Sequence, residues 1–526
     1  MMRFWLLVGM VLLILAGCNG ENEGGASIQQ AEKEDKDPNK KVVFVIIDSM
    51  MGSLVDNSLE KGTIPALEFL IENGQYYKDL VAPFPSMSVV IESSMVTGEM
   101  PNNHKIPGLV WYKDDEQRLV DYGSTIQKAA QLGMKQALFD SLYHLNNTHL
   151  NEESTTIFEA LQEKGYTTGS VNTLIYRGNT NHDMHLPPVL DNWLGMNGSL
   201  QTKGPDLLAF GSVVKPKVVE NKNFPDSLFS QFGLNDEYSV EVTKEIIKNG
   251  EQPDFLMVFL PDFDKEAHDN SPHYRKGFER AEHLFQDILN AYPSWEQALE
   301  ENIFIVVGDH GQDKLLDDEV EMAIDLESIY HDYEPARLQD QLTPGEIAFG
   351  NNHRMSYVYA LENEQLLPRL AETAMVDKRI AHASWLQDGW VHVISPDYDD
   401  VVRFRKFGPW ADRYDQTWEI EGNEDILTIK KDSNKNELAY VDYPDILNQL
   451  YSAHHAHDNN TLILTAKPGH VFKSQGSPLH VGGGEHGGIH KNETLAALVI
   501  SGTDKEPEYL RMVDLKDYIL QLYDDE

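Results

Sequence analysis

The sequence predicts an α/β fold in which a mostly parallel sheet is covered on both faces by helices, and two observations carry that expectation. Three short apolar runs each stop at an aspartate: VVFVIIDS at 42–49, DFLMVFLPDFD at 254–264 and IFIVVGDHGQ at 303–312. Such runs, β-branched or aromatic and bounded by charge or glycine, read as strands buried on both faces. Around them lie segments with apolar residues at three- and four-residue spacing, TIFEALQEKG at 156–165, EYSVEVTKEIIKNG at 237–250 and YRKGFERAEHLFQDILNAY at 274–292. The first two end in glycine, a helix stop signal. Alternating strands and helices imply parallel pairing, and in such sheets binding sites form beyond the carboxyl ends of the strands.

The chain has 526 residues, 41% hydrophobic and 10% aromatic, enough for a sizeable core. Its first segment differs from the rest. Arg3 precedes an apolar run at 4–16, which is short for a membrane span and suited to a signal peptide. The run ends in LAGC, which resembles the lipobox of bacterial lipoproteins; by that resemblance residues 1–17 are removed and Cys18 carries a lipid. Cys18 is the only cysteine, so no internal disulfide can form. The expected location is the outer face of a bacterial membrane. Residues 18–40, rich in Gly, Asn and mixed charge, read as a solvated linker, and 41–526 as the catalytic domain.

The formal net charge is −42, from 85 acidic against 43 basic residues. That excess excludes docking on nucleic acid or on an anionic lipid surface. No protein partner is implied. Residues from about 315 to 434 break the strand–helix rhythm and are rich in Tyr, Trp, Asp and Asn; they read as an inserted cap over the crevice.

Chemistry-bearing residues collect at the strand ends: Asp48, then Asp264 and His268, then Asp309 and His310, and late in the chain His486 in GGGEHGG. Carboxylates and imidazoles are ligands for zinc or manganese. Three aspartates in one cleft repel one another, whereas two divalent cations balance them together with one ionised nucleophile. A nucleophile is available in FPSMSVVIESSMVTGEMP at 84–101, where Ser86 and Ser88 precede a helix-compatible run. A helix N-terminus favours negative charge on such a group.

This ordered set resembles the alkaline phosphatase superfamily, and within it the type I phosphodiesterase/nucleotide pyrophosphatase branch, over 42 to the C-terminal RMVDLKDYILQLY. The family's hydroxyl nucleophile lies ten residues before the glycine of a TG-x-x-P segment, which places it on Ser88, ahead of Gly98 and Pro101. The resemblance implies a three-layer α/β/α sandwich. It implies that Asp48, Asp309, His310 and Ser88 Oγ hold one divalent ion and that Asp264, His268 and His486 hold the other, both zinc or alternatively manganese. It further implies a small-molecule phosphate ester as substrate and a covalent phosphoserine intermediate; monoesterase or phosphotransferase chemistry, or a non-catalytic envelope lipoprotein with the same fold, are the alternatives.

The chain departs from the family at two points. Ile91 stands where diesterases carry an asparagine that holds a phosphate oxygen, and the nucleophile is serine rather than threonine. Arg177, in VNTLIYRGN, is the candidate replacement clamp. Asp262 is the fallback for Asp264. His480 and His490 flank His486, and His454, His455 and His457 of HHAH read as a solvated helix end.

Overall fold

Each of the three runs that stop at an aspartate forms a strand of one sheet. The computed structural model describes residues 40–124, 128–129, 132–185, 200–219, 224–225, 233–336, 345–361, 363–457 and 460–524. The leader and Cys18 lie outside the described residues.

The central sheet has seven strands: β1 (Lys41–Ile47), β2 (Gly74–Val81), β3 (Thr168–Val171), β4 (Leu207–Ala209), β5 (Phe255–Leu260), β6 (Asn302–Val307) and β7 (Leu495–Ser501), in the order β2-β7-β6-β1-β5-β3-β4. From β6 to β4 all pairings are parallel, and β7 pairs antiparallel with β6 and with β2. The expected strand at 254–264 divides: β5 ends at Leu260, and a helix begins at Asp262.

Alternation along β1 separates two cores. Val42, Phe44 and Ile46 face helices α3 (Ser88–Thr97), α4 (Ile157–Glu163) and the C-terminal Leu515–Leu522. Val43, Val45 and Ile47 face α1 (Gly52–Leu59), α2 (Pro65–Glu72), α5 (Asp236–Lys248), α6 (Asp262–Asp269) and α7 (Arg275–Leu289). This is the three-layer α/β/α sandwich expected of a sheet buried on both faces. The helix starts follow local chemistry: Thr156 caps α4 in a capping box with Glu159, and Asn235 caps α5 by accepting from Tyr238 N–H.

The region anticipated as a cap contributes to a second, nine-stranded sheet. The sheet does not stop at residue 434, because strands Glu437–Tyr440 and Thr461–Ala466 belong to it. It begins with a hairpin of Ile347–Asn352 and Met355–Ala360 whose tip, His353 and Arg354, reaches the central sheet's loops. Arg354 is fully buried; it pairs with Asp313, and its Nη2 lies 3.3 Å from Glu493 Oε1. Burial pushes the Glu493 carboxyl up to about 8 against the pull of Arg354, while at Asp313 burial is outweighed by Arg354 together with bonds from Gly469 N–H and Asn492, and the carboxyl is lowered.

HHAH sits at the end of the helix Ile446–His454 as expected, but that end is not solvated. His454 is buried, its Nε2 lies 2.9 Å from Ser384 Oγ, and burial pushes it down to about 3.

Replacing Arg354 with methionine leaves Asp313 and Glu493 without their cation in the interior. Urea unfolding is expected to show a loss of about 3–5 kcal/mol, and a loss below about 1 kcal/mol would show that the pairing is not what fixes the hairpin tip.

Candidate active site

β6, β1 and β5 are neighbours and run in the same direction, with Ile46 opposite Val307 and Ile47 opposite Leu260. Their carboxyl ends therefore open at one edge. Asp48 follows β1 directly, Asp309 follows β6 after Gly308, and Asp264 sits in the first turn of α6, which follows β5. Three aspartates far apart in sequence meet for this reason alone.

Close packing explains the glycine in VVGDHG. A Cβ on Gly308 would stand 2.1 Å from the carbonyl oxygen of Met50, so only glycine lets the two strand ends pass. The turn after β1 is held left-handed at Ser49, with φ 61°, and its N–H donates to Asp309 Oδ1 at 3.0 Å. Asp264 and His268 stand one turn apart on α6, with His268 Nε2 3.2 Å from Asp264 Oδ2. Asp264 Oδ1 accepts from Ser49 Oγ at 2.8 Å and from Gln312 Nε2 at 2.6 Å. Asp262, the fallback, faces elsewhere: its Oδ2 accepts from Asp236 N–H at 3.0 Å.

Three imidazoles are aimed by backbone carbonyls. Nδ1 of His268 lies 2.8 Å from Gly484 O, Nδ1 of His486 lies 2.6 Å from Ser86 O, and Nδ1 of His310 lies 3.1 Å from Gly311 O. A neutral ring that donates from Nδ1 presents the lone pair of Nε2, the state a metal ligand requires. The His310 and His486 rings stack with centroids 3.8 Å apart, and His486 Nε2 lies 3.8 Å from Asp264 Oδ1. His310 Nε2 is 3.5 Å from both Asp48 Oδ1 and Asp309 Oδ2.

Ser88 begins α3, and its side chain caps nothing. Its Oγ lies 3.5 Å from His310 Nε2. Ser86, the other eligible serine, is occupied structurally: its Oγ donates to Gly488 O and accepts from Gly487 N–H, both at 2.9 Å. The structure thus brings Ser88, Asp48, Asp264, His268, Asp309, His310 and His486 to one place.

These donors fit divalent cations. Donor atoms of Asp48, Asp309 and His310 lie within 4.8 Å of one another, and so do those of Asp264, His310 and His486. Asp48 Oδ1 and Asp309 Oδ2 are buried with no hydrogen-bond donor. Burial and then repulsion by Asp309 and Asp264 raise the Asp48 carboxyl well above the usual carboxylate range. Buried carboxylate oxygens without donors are costly, and a cation removes that cost.

Arg177 does not serve as the clamp that sequence reasoning assigned to it. Its guanidinium donates to Glu159 Oε1 at 3.2 Å and to the carbonyls of Leu150, Asn151 and Ser154, so its donors hold the 150–154 loop. Ile91 is buried in the core below α3 and offers the substrate nothing. His490 caps the turn at Lys491–Thr494 and does not reach His486. Sequence reasoning missed Ser49, Gln312, Glu485, whose Oε1 lies 3.5 Å from His268 Nδ1, and His353, whose Nδ1 lies 2.7 Å from Glu485 Oε1. Glu485, Ser49 and Gln312 adjoin expected ligands in sequence, whereas His353 arrives from the second sheet with no local signal.

No curated protein sequence matches the chain. Among solved structures, murine ectonucleotide pyrophosphatase/phosphodiesterase 5 superposes with a TM-score of 0.54 at 11% identity, covering 92% of this chain and 95% of that one. The human form superposes with a TM-score of 0.52 at 12% identity, over 92% and 94%. An inactive variant of the murine protein in complex with AMP matches with a TM-score of 0.53 at 12% identity, over 92% and 94%. At these identities the likeness establishes the fold. The model of the type I phosphodiesterase/nucleotide pyrophosphatase family matches residues 42–489, most of the chain. The chain belongs to that metal-dependent family, and it is a hydrolase of phosphate-ester bonds.

Proposed function

We propose that the chain hydrolyses phosphodiesters or pyrophosphates at a two-ion site through a covalent phosphoserine on Ser88. The observation that carries this reading is the placement of Ser88 Oγ at a helix start, 3.5 Å from His310 Nε2, with no structural task of its own. Asp48, Asp309, His310 and Ser88 would hold one ion, and Asp264, His268 and His486 the other. Divalent cations bound there supply Lewis-acid chemistry, lowering the pKa of a hydroxyl or water and neutralising charge on the reacting phosphoryl group. Imidazole and carboxylate donors together suit zinc, with manganese as the alternative.

The chain's own residues then divide the work. Ser88 Oγ attacks phosphorus, forming the new P–O bond as the bond to the leaving oxygen breaks. The N-terminus of α3 favours the negative charge that Ser88 and the phosphoryl group carry. Gln312 and Ser49 hold Asp264 in place, and the carbonyls of Gly484, Ser86 and Gly311 keep three Nε2 atoms facing inward. Water then attacks phosphorus and the bond to Ser88 Oγ breaks, releasing the phosphate monoester that remains of the substrate while a proton of the water returns to Ser88 Oγ. The AMP complex of the murine homologue supports a nucleotide-sized ester as the class of substrate. We extend the proposal to location: the apolar run at 4–16 and LAGC support export and a lipid anchor on Cys18. Among the described residues no helix is long and apolar enough to cross a membrane.

With zinc or manganese present, bis-p-nitrophenyl phosphate is expected to be hydrolysed faster than p-nitrophenyl phosphate, and Ser88→Ala should lower the rate at least about a thousandfold. A Ser88→Ala enzyme with wild-type turnover would remove the phosphoserine; faster monoester turnover would make the enzyme a phosphomonoesterase. In bacterial cells expressing the full chain, Cys18→Ser should move the protein from the membrane to the soluble fraction, and unchanged fractionation would discard the anchor.

A further inference from the structure

The charge balance of the two-ion reading leaves one carboxylate over. Asp48, Asp264, Asp309 and an ionised Ser88 set four negative charges against two divalent cations. Glu485 stands outside that count, although its carboxylate also lies within 4.8 Å of donor atoms of His268 and His486. It is fully buried, and its contacts are imidazoles: His353 Nδ1 at 2.7 Å from Oε1, His480 Nδ1 at 2.8 Å from Oε2, and His268 Nδ1 at 3.5 Å from Oε1. The backbone N–H of His486 adds a bond at 3.2 Å. Arg354 acts on it only at longer range and is already paired with Asp313 and Glu493. Both of its oxygens are bonded, and every side chain they meet is an imidazole, a group that also binds metal.

The three side chains come from separate parts of the chain. His480 and Glu485 lie in the loop that carries His486. His353 is delivered by the tip of the second-sheet hairpin, and it is held there in the left-handed region, with φ 61°. That conformation is uncommon outside glycine, with Asn, Asp and His the commonest exceptions, and here the surrounding contacts hold it. Phe472 N–H donates to the His353 carbonyl at 2.9 Å, fixing the tip from the other side.

We infer that His353, His480 and Glu485 form a third divalent-cation site, set behind His268 and distinct from the two ions beside Ser88. The inference rests on the two-ion reading for its charge count and on this cluster for its ligands. Donor atoms of the three lie within 4.8 Å of one another. Two imidazoles and one glutamate are a donor set that zinc sites use while keeping a position for water. Binding through Nδ1 needs no net proton release, because each neutral ring moves its proton to Nε2. The third ion ties the hairpin tip, through His353, to the loop that carries His480, Glu485 and His486.

The test is a metal count. The full-length protein is stripped of metal, dialysed against low-micromolar zinc chloride, and its zinc measured by mass spectrometry, with circular dichroism confirming the fold of each variant. Wild type should hold three ions per chain. His480→Ala should hold two, and so should His353→Asn, which keeps a residue that tolerates the left-handed backbone. Asp309→Asn should also hold two, and Asp309→Asn combined with His480→Ala one. Equal counts in wild type, His480→Ala and His353→Asn would overturn the third site. If instead His480→Ala loses an ion and Asp309→Asn loses none, the third site stands while the assignment beside Ser88 fails.

Discussion

Mutual repulsion among aspartates at the ends of three adjacent parallel strands is the constraint on which the rest of this molecule depends. Two carboxylates about 4 Å apart repel by about 4 kcal/mol at an effective dielectric of about 20. Asp48, Asp264 and Asp309 cannot share the rim of β1, β5 and β6 as anions unless positive charge is set among them. The parallel sheet brings them there, because neighbouring strands in register end at one edge. Hydrophobic burial on both faces of the sheet fixes that register, and metal held among the carboxylates would make the resulting arrangement tolerable.

The surroundings show how the rim is kept ready. Backbone carbonyls take the Nδ1 protons of three histidines, and neutral amide and hydroxyl groups brace Asp264. No basic side chain is among these supports. Arginine appears one layer out: Arg354 binds Asp313 and Glu493 beneath the loop that carries His486, and Arg177 gathers carbonyls of the 150–154 loop. Arg354 is engaged by those two carboxylates, and the centre is left to groups suited to metal.

Much of this was legible in the sequence because short-range patterns carried it. The apolar runs stopping at aspartate marked β1, β5 and β6, and the spacing of Asp264 and His268 needed only one helical turn. Family spacing places the nucleophile on Ser88, and Ser86 is bonded to Gly487 and Gly488. The misses share a cause. His353 is positioned by a sheet built from residues far apart in sequence, so nothing near it announces the site. Arg177 follows a strand, as expected of a phosphate clamp, yet which way its guanidinium turns is decided by carbonyls of a loop 23 to 27 residues earlier. His454 looked solvated because HHAH is polar, but packing against Ser384 buries it. Side-chain direction and long-range packing are not written in local spacing.

Anomalous diffraction from crystals grown with manganese tests the central claim most directly. The account predicts one strong peak among Asp48, Asp309 and His310 and another among Asp264, His268 and His486, with Ser88 Oγ beside the first. An active enzyme whose crystals show no peak at either position would contradict it.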